Sequence, residues 1–158
     1  MPESQGIGGE VPVSNRFLFE VDGVEIGRFT EVSGLELDVE VVTYNEGGEN
    51  GFVHQFPGQM TWPNIVLKRG VTKSDALFDW VKKSSGQGFA SNDNKLTRCT
   101  GAITALGTGV ERLRSWNILE AFPVRWVGPK LDVNDKIPLY EEIEVAHHGF
   151  TSKTTTNA

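Results

Sequence analysis

Apolar and polar residues alternate with a period of two along most of this chain, and the breaks in that alternation divide it into elements. From Asn15, Phe17, Phe19 and Val21 alternate with Arg16, Leu18 and Glu20. Asp22-Gly23 intervenes, and Val24 and Ile26 then alternate with Glu25 and Gly27. Alternation on both sides of an Asp-Gly pair predicts a β-hairpin, because both turn residues need positive φ. Ser33-Gly34 closes that unit. Leu35, Leu37, Val39 and Val41 share the next parity, with Glu36, Asp38, Glu40 and Val42 on the other, so the spacing predicts a strand with one aliphatic and one acidic face. A solvated sheet face accounts for the acidic side, and so does a surface that repels anions or resists sticking.

Residues 45–60 read as a long Gly-rich excursion carrying Phe52, Val53, Phe56 and Met60. A solvent loop has no need of four large apolar side chains, so this segment either folds back on its own core or docks on another chain. Ile65 and Leu67 mark a strand that ends at Arg69-Gly70. A helix follows over about residues 73–84, with Thr72 as N-cap, Asp75 three residues on, and Leu77, Trp80 and Val81 as a single apolar stripe. Lys82 and Lys83 suit its C-terminal dipole and Gly86 its stop. Ser85 to Asn94 reads as a polar linker. Strands return over Leu96–Ala105 and Leu113–Ala121, joined by Gly107-Thr108-Gly109. Pro123 is expected to interrupt there, leaving 124–127 as an edge or a re-aimed continuation. After a turn at Gly128-Pro129, Ile137–His147 forms the closing strand, with Leu139, Ile143 and Val145 opposite Tyr140, Glu142 and Glu144. The domain is expected over 15–150, between an N-terminal arm at 1–14 and a frayed polar tail at 151–158.

Composition narrows the class. A length of 158 residues favours one domain with an ordinary core. Hydrophobic residues at 38% and charged residues at 23% fit neither a disordered chain nor a membrane protein, and no apolar run approaches the ~20 residues of a membrane-spanning helix. The first residues lack the charged-then-apolar pattern of a signal peptide. Cys99 is the single cysteine, which excludes an intramolecular disulfide framework and a cysteine-based zinc site. The net charge of −6 argues against a nucleic-acid-binding surface. Glycine, 18 of 158, exceeds the usual share of about 7% and fits many turns between strands.

Candidate chemistry is thin. His147 and His148 are adjacent in an expected strand and so point to opposite faces, unable to hold one metal together. Glu142 and Glu144 share a face, as i and i+2 positions of any solvated strand do, and no second acidic cluster stands opposite them as a glycosidase pair requires. Cys99 has no nucleophile signature. Gly6-Ile7-Gly8-Gly9 and Gly47-Gly48 lack the strand–turn–helix frame of a phosphate-binding loop. Lys68, Arg69, Lys73, Lys82 and Lys83 cluster around the helix, diluted by Asp75 and Asp79, as a solvated face or a docking patch. Trp62, Trp80, Trp116 and Trp126 are spread as core or interface anchors. No catalytic, cofactor-binding or metal-binding set assembles, and the chain reads as a structural or binding protein rather than an enzyme.

Four stretches in order, NRFLFEVDGVEIGRFTEVSGLELDVEVVTYNEGG, PNIVLKRGVTKSDALFDWV, RSWNILEAFPVRWVGPKL and EEIEVAHHGF, resemble the tail tube proteins of contractile phages, of the T4 type. Within that family they are most similar to the inner tubes of phage-tail-like extracellular contractile injection systems, with a distant likeness to the ring-forming tube protein of type VI secretion. The resemblance covers about residues 14–150. It implies a mainly β fold of two orthogonally packed antiparallel sheets forming a barrel-like sandwich with one flanking helix. It also implies hexameric rings, joined edge to edge and stacked into a hollow tube inside a contractile sheath, with a spike and baseplate at the tip. Contraction would drive the tube through a target envelope while cargo effector or DNA passes along the lumen without tight binding.

On that frame Glu36, Asp38 and Glu40 are expected to line the lumen. Gly47, Gly48, Phe52, Val53 and Phe56 are expected to meet a neighbouring subunit or ring. The partners implied are further copies of the chain, a sheath protein, baseplate, spike and tube-terminating proteins, and a target membrane that the assembly pierces and the monomer does not bind. No cofactor is implied. Such a subunit would be made in the bacterial cytoplasm without a signal peptide and assembled into an extracellular, cell-associated or virion particle. The competing readings are a monomeric β-barrel that binds a small ligand, and an enzyme using Glu142 or Glu144.

Overall fold

The computed structural model describes residues 14–48, 51–84 and 98–154. It begins with the predicted hairpin, β1 (Arg16–Val21) and β2 (Val24–Phe29), turned by Asp22 at φ 50° and Gly23 at φ 80°. β3 (Glu31–Ser33) leads into β4 (Asp38–Tyr44), which pairs with β5 (His54–Thr61) as a separate two-stranded ribbon. β6 (Ile65–Gly70) and helix α1 (Ala76–Ser84) follow, then β7 (Cys99–Leu106), β8 (Arg112–Val127), β9 (Tyr140–Ala146) and β10 (Phe150–Thr154). Eight of these strands join in the order β2-β1-β7-β8-β9-β6-β3, with β10 also on β8, and every pairing is antiparallel. Among the described residues the fold is mainly β with one helix, in two packed layers as expected, and the strands do not close into a barrel.

The long strand β8 makes two layers out of one connected sheet. Its first half pairs with β7 and β10, and its second half pairs with β9. Between them Glu120 takes φ 49° and the register with β7 shifts, the geometry of a β-bulge that bends a strand. Pro123 therefore does not end the strand. It sits beside a second register shift with β9, where a residue without an N–H is tolerated. The core between the layers is built from Phe19, Phe29, Ile65, Leu67, Ile103, Ile118, Ile143 and Val145, and α1 covers one side with Leu77 and Trp80.

Three local expectations change. The helix begins at Ala76, because the Thr72 and Ser74 hydroxyls accept the Ser74 and Ala76 N–H groups in successive hydroxyl turns and the Asp75 carbonyl takes the first helical bond, from Asp79. Residues 151–154, placed by the sequence in a polar tail, pair with Arg114–Asn117 as part of β10. Arg69, grouped by the sequence with the basic helix face, is buried, since its position on β6 points between the layers. The linker over Ser85–Asn94, the stop at Gly86, the start of the expected strand at Leu96 and the N-terminal arm through residue 13 lie outside the described residues.

Candidate assembly interface

The β4–β5 ribbon is the feature that the single domain does not complete. Among the described elements, neither strand makes more than incidental contact with any strand or helix but its partner. The expected split into a buried aliphatic and a solvated acidic face is absent, because nothing among the described residues covers either face. Cross-strand partners Val42–Phe56 and Tyr44–His54 occupy one face, on the same parity as Asp38 and Glu40. Val39–Met60 and Val41–Pro57 occupy the other. The large apolar side chains on both faces are between 42% and 61% exposed. An isolated two-stranded hairpin is marginal in water, and contiguous exposed apolar surface marks an interaction site.

Residues 45–60 are therefore not one loop. Strand β5 begins at His54, and the described residues of the segment do not fold back on the core. Gly47 and Gly48 stand at the turn in open space, with Gly48 at φ 100°, which a side chain would resist. Phe52 and Val53 are exposed. Phe52 meets the His54 ring edge-on at 4.9 Å between centroids, Phe56 stacks at 6.3 Å, and His54 Nε2 lies 3.2 Å from a Glu46 carboxylate oxygen. Of the acidic trio, Asp38 and Glu40 lie on β4 and Glu36 in the extended stretch before it, all three exposed. Sequence reasoning included Met60 in this surface and missed Val42 and Tyr44. The alternation at 54–61 is broken by Pro57 and Gly58, which hides the strand. A register irregularity near Glu40 absorbs the mismatch.

The root of the ribbon is held firmly. Gly34 adopts φ 85° against the Asn64 carbonyl, too close for any side chain. The Asn64 amide donates to Glu144 at 2.8 Å. His147 is buried, with Nδ1 accepting the Gly149 N–H at 3.0 Å and Nε2 donating to the Pro63 carbonyl at 2.9 Å. That pair of partners defines the neutral ring protonated at Nε2. Trp62 packs edge-on against His147 and Phe150. His147 is thus a structural residue, while His148 is exposed beside Glu120 and Arg98. The Arg98 guanidinium holds the Glu120 carboxyl below its ordinary value, opposed by desolvation and helped by His148.

Elsewhere, no cluster of three metal-ligating side chains occurs among the described residues, and no helix among them is long and apolar enough to cross a membrane. Glu142 and Glu144 share the outer face of β9, as their spacing predicts. A cavity of about 460 Å³ lies between α1 and the β1–β2 hairpin, lined by Val21, Val24, Ile26, Trp80 and Cys99 among others. The Cys99 thiol is buried there, and the Trp80 indole N–H makes no hydrogen bond of normal geometry.

The described residues form a two-layer β domain that projects a ribbon with exposed apolar side chains on both faces. The family follows from comparison: a sequence model of the T4-like virus tail tube protein gp19 matches residues 13–151, and the chain belongs to that family. It is similar to a chain of the PVC sheath–tube complex of an extracellular contractile injection system in its extended state. The two are 26% identical over 94% of this chain and 95% of that one, with a TM-score of 0.76. It is also similar to a chain of the PVC sheath/tube terminator, at 27% identity over 94% and 99% with a TM-score of 0.74. A type six secretion system protein shares the fold alone, at 8% identity over 88% and 83% with a TM-score of 0.57. No curated protein sequence matches.

Proposed function

We propose that this protein is a structural subunit of the inner tube of a contractile injection machine, assembling as hexameric rings stacked into a hollow tube. The observation that carries this reading is the β4–β5 ribbon, whose two apolar faces have no cover among the described residues. Ring and tube formation would cover the Val39, Val41 and Met60 face and the apolar tip of the ribbon and pair the exposed strand edges, which are otherwise aggregation hazards. Phe52, Val53 and Phe56, with Gly47 and Gly48 at the turn, are the contact set. Glu36, Asp38 and Glu40 face the lumen, where a negative wall repels phosphates and lets DNA or a cargo effector pass without tight binding. The similarity to chains of a sheath–tube complex and of a sheath/tube terminator supports a sheath and tube-terminating proteins as partners. A baseplate and spike complete the machine, and sheath contraction drives the tube through a target envelope. The particle is extracellular, cell-associated or a virion.

Negative-stain microscopy across a concentration series tests this directly: rings or tubes are expected, and a strict monomer at all concentrations overturns it. Replacing Phe52 and Phe56 with Ser should weaken assembly while the domain stays folded. Reversing Glu36, Asp38 and Glu40 to Lys should leave assembly largely intact and make the tube retain nucleic acid at low salt. If the reversed tube retains no more than the original, the lumen assignment fails.

A further inference from the structure

Trp62, Pro63 and Asn64 carry the chain from the end of β5 into β6, so they set the direction in which the ribbon leaves the domain. His147, just past β9, anchors them. Its ring is buried and its two nitrogens are committed in opposite senses: Nε2 donates to the Pro63 carbonyl, and Nδ1 accepts the Gly149 N–H. A carbonyl can only accept and a backbone N–H can only donate, so the neutral ring alone serves both. A proton added at Nδ1 sets two N–H groups against each other. Little room exists to relieve that conflict. Gly149 stands at φ 119°, where an added Cβ would lie 3.0 Å from the Trp62 indole, and Trp62 and Phe150 both pack on the imidazole.

No acid compensates a charge on this ring. His147 forms no ion pair among the described residues, and Glu144 on β9 is taken by the Asn64 amide. His148 is placed differently. It is exposed, with Nδ1 2.7 Å from a Glu120 carboxylate oxygen and Nε2 3.0 Å from the Arg98 guanidinium, so a charged ring gains an ion pair there.

We propose that His147 is an acid-sensitive latch on the ribbon: protonation of its ring releases Pro63 and Gly149, the ribbon loses its fixed direction, and assembled tubes come apart. Histidine is the side chain whose charge ordinarily changes between about pH 5 and 8. The folded junction accepts only the neutral ring, so the latch holds at the upper end of that range and is lost as pH falls through it. The inference rests on the tube reading and adds a control on it.

The test follows the full chain and two variants, His147→Gln and His148→Gln, at about pH 7.5 and about pH 5.5, a window in which histidine titrates and exposed carboxylates stay charged. Sedimentation reads the tubes. The unaltered chain is expected to form tubes at the higher pH, to lose most of them at the lower, and to regain them on return. His148→Gln should behave in the same way, while His147→Gln should assemble to the same extent at both. Amide hydrogen exchange reads the latch without assembly, in the unaltered chain diluted to single subunits and with the intrinsic pH dependence of exchange divided out. Protection of Gly149 should fall about tenfold at the lower pH as its acceptor is lost, while that of Ile103, in the middle of β7, holds. If tubes of His147→Gln come apart in acid as unaltered tubes do, the latch is overturned and the tube reading stands. Unaltered tubes that survive the lower pH overturn it too. If Gly149 keeps its protection, the latch is overturned even where His147→Gln assembles at neither pH. If the unaltered chain forms no tubes at the higher pH, the tube reading fails and the inference falls with it.

Discussion

Arg69 on β6 and Glu141 on β9 are direct cross-strand partners whose side chains turn inward and form an ion pair with the Arg69 side chain only 3% exposed. The Trp126 indole donates to the second oxygen of Glu141 at 3.3 Å, and the Arg69 guanidinium lies 5.2 Å from the Phe29 ring centroid. Gly27 makes room: a Cβ there would run into the guanidinium.

Removing one member of a buried ion pair strands the other charge, at a cost of about 3–5 kcal/mol. Glu141→Ala should therefore lower the urea midpoint sharply, while Arg69→Met with Glu141→Leu should recover most of the loss. If the single substitution costs no more than a surface change, the pair contributes nothing to the fold. Gly27→Ala should destabilise the protein, and less so in the Arg69→Met background.

Gly34 joins β3 to the ribbon at φ 85°, packed on the Asn64 carbonyl. Gly34→Ala meets both the left-handed backbone penalty of about 1–2 kcal/mol and a backbone clash. Lower thermal stability is expected together with weaker assembly, since the ribbon root must shift. An unchanged melting temperature would show that the root can relax.

Val110 is exposed and adopts φ 65° in the turn between β7 and β8, a conformation that a β-branched residue resists. Val110→Asn should stabilise the domain by about 1 kcal/mol, raising the melting temperature by about 2–4 °C. A fall would mean that Val110 makes compensating contacts.

Burial pushes the Cys99 thiol above its ordinary value of 9.0, the Asp22 carboxylate adds to this, and the Trp80 N–H opposes it in part. The folded state thus holds this proton more tightly than the unfolded state. The resulting stability is fully present below the ordinary thiol value and is lost as pH rises through the raised one. The stability difference between the unaltered protein and Cys99→Ala should shrink above about pH 9. A difference constant to pH 10 would contradict it. Thiol reagents at pH 8 should react slowly until urea unfolds the chain.

Much of the fold was legible because its signals are local. Asp22-Gly23 sets the first turn through its own φ preferences, and alternation marks β1, β2, β6 and β9. The apolar stripe of Leu77 and Trp80 marks the helix, while its first turn was misplaced because Thr72 and Ser74 hydroxyls compete for backbone donors. Strand β5 was hidden, since Pro57 and Gly58 break the period and only pairing with β4 satisfies that backbone. The passage of β8 through Pro123 likewise depends on bulges that its neighbours impose.

The sequence by itself determined which residues share a face, because strand period is a property of the backbone alone. It placed Glu36, Asp38 and Glu40 on one parity and showed that Phe52 and Phe56 are too apolar for a solvent loop. It could not say what covers a face, because cover comes from chain distant in sequence. Only the tertiary structure decided that Arg69 and Glu141 are buried together and that both faces of β4–β5 are left open. Burial is a sum over neighbours, and for this ribbon those neighbours are not among the described residues.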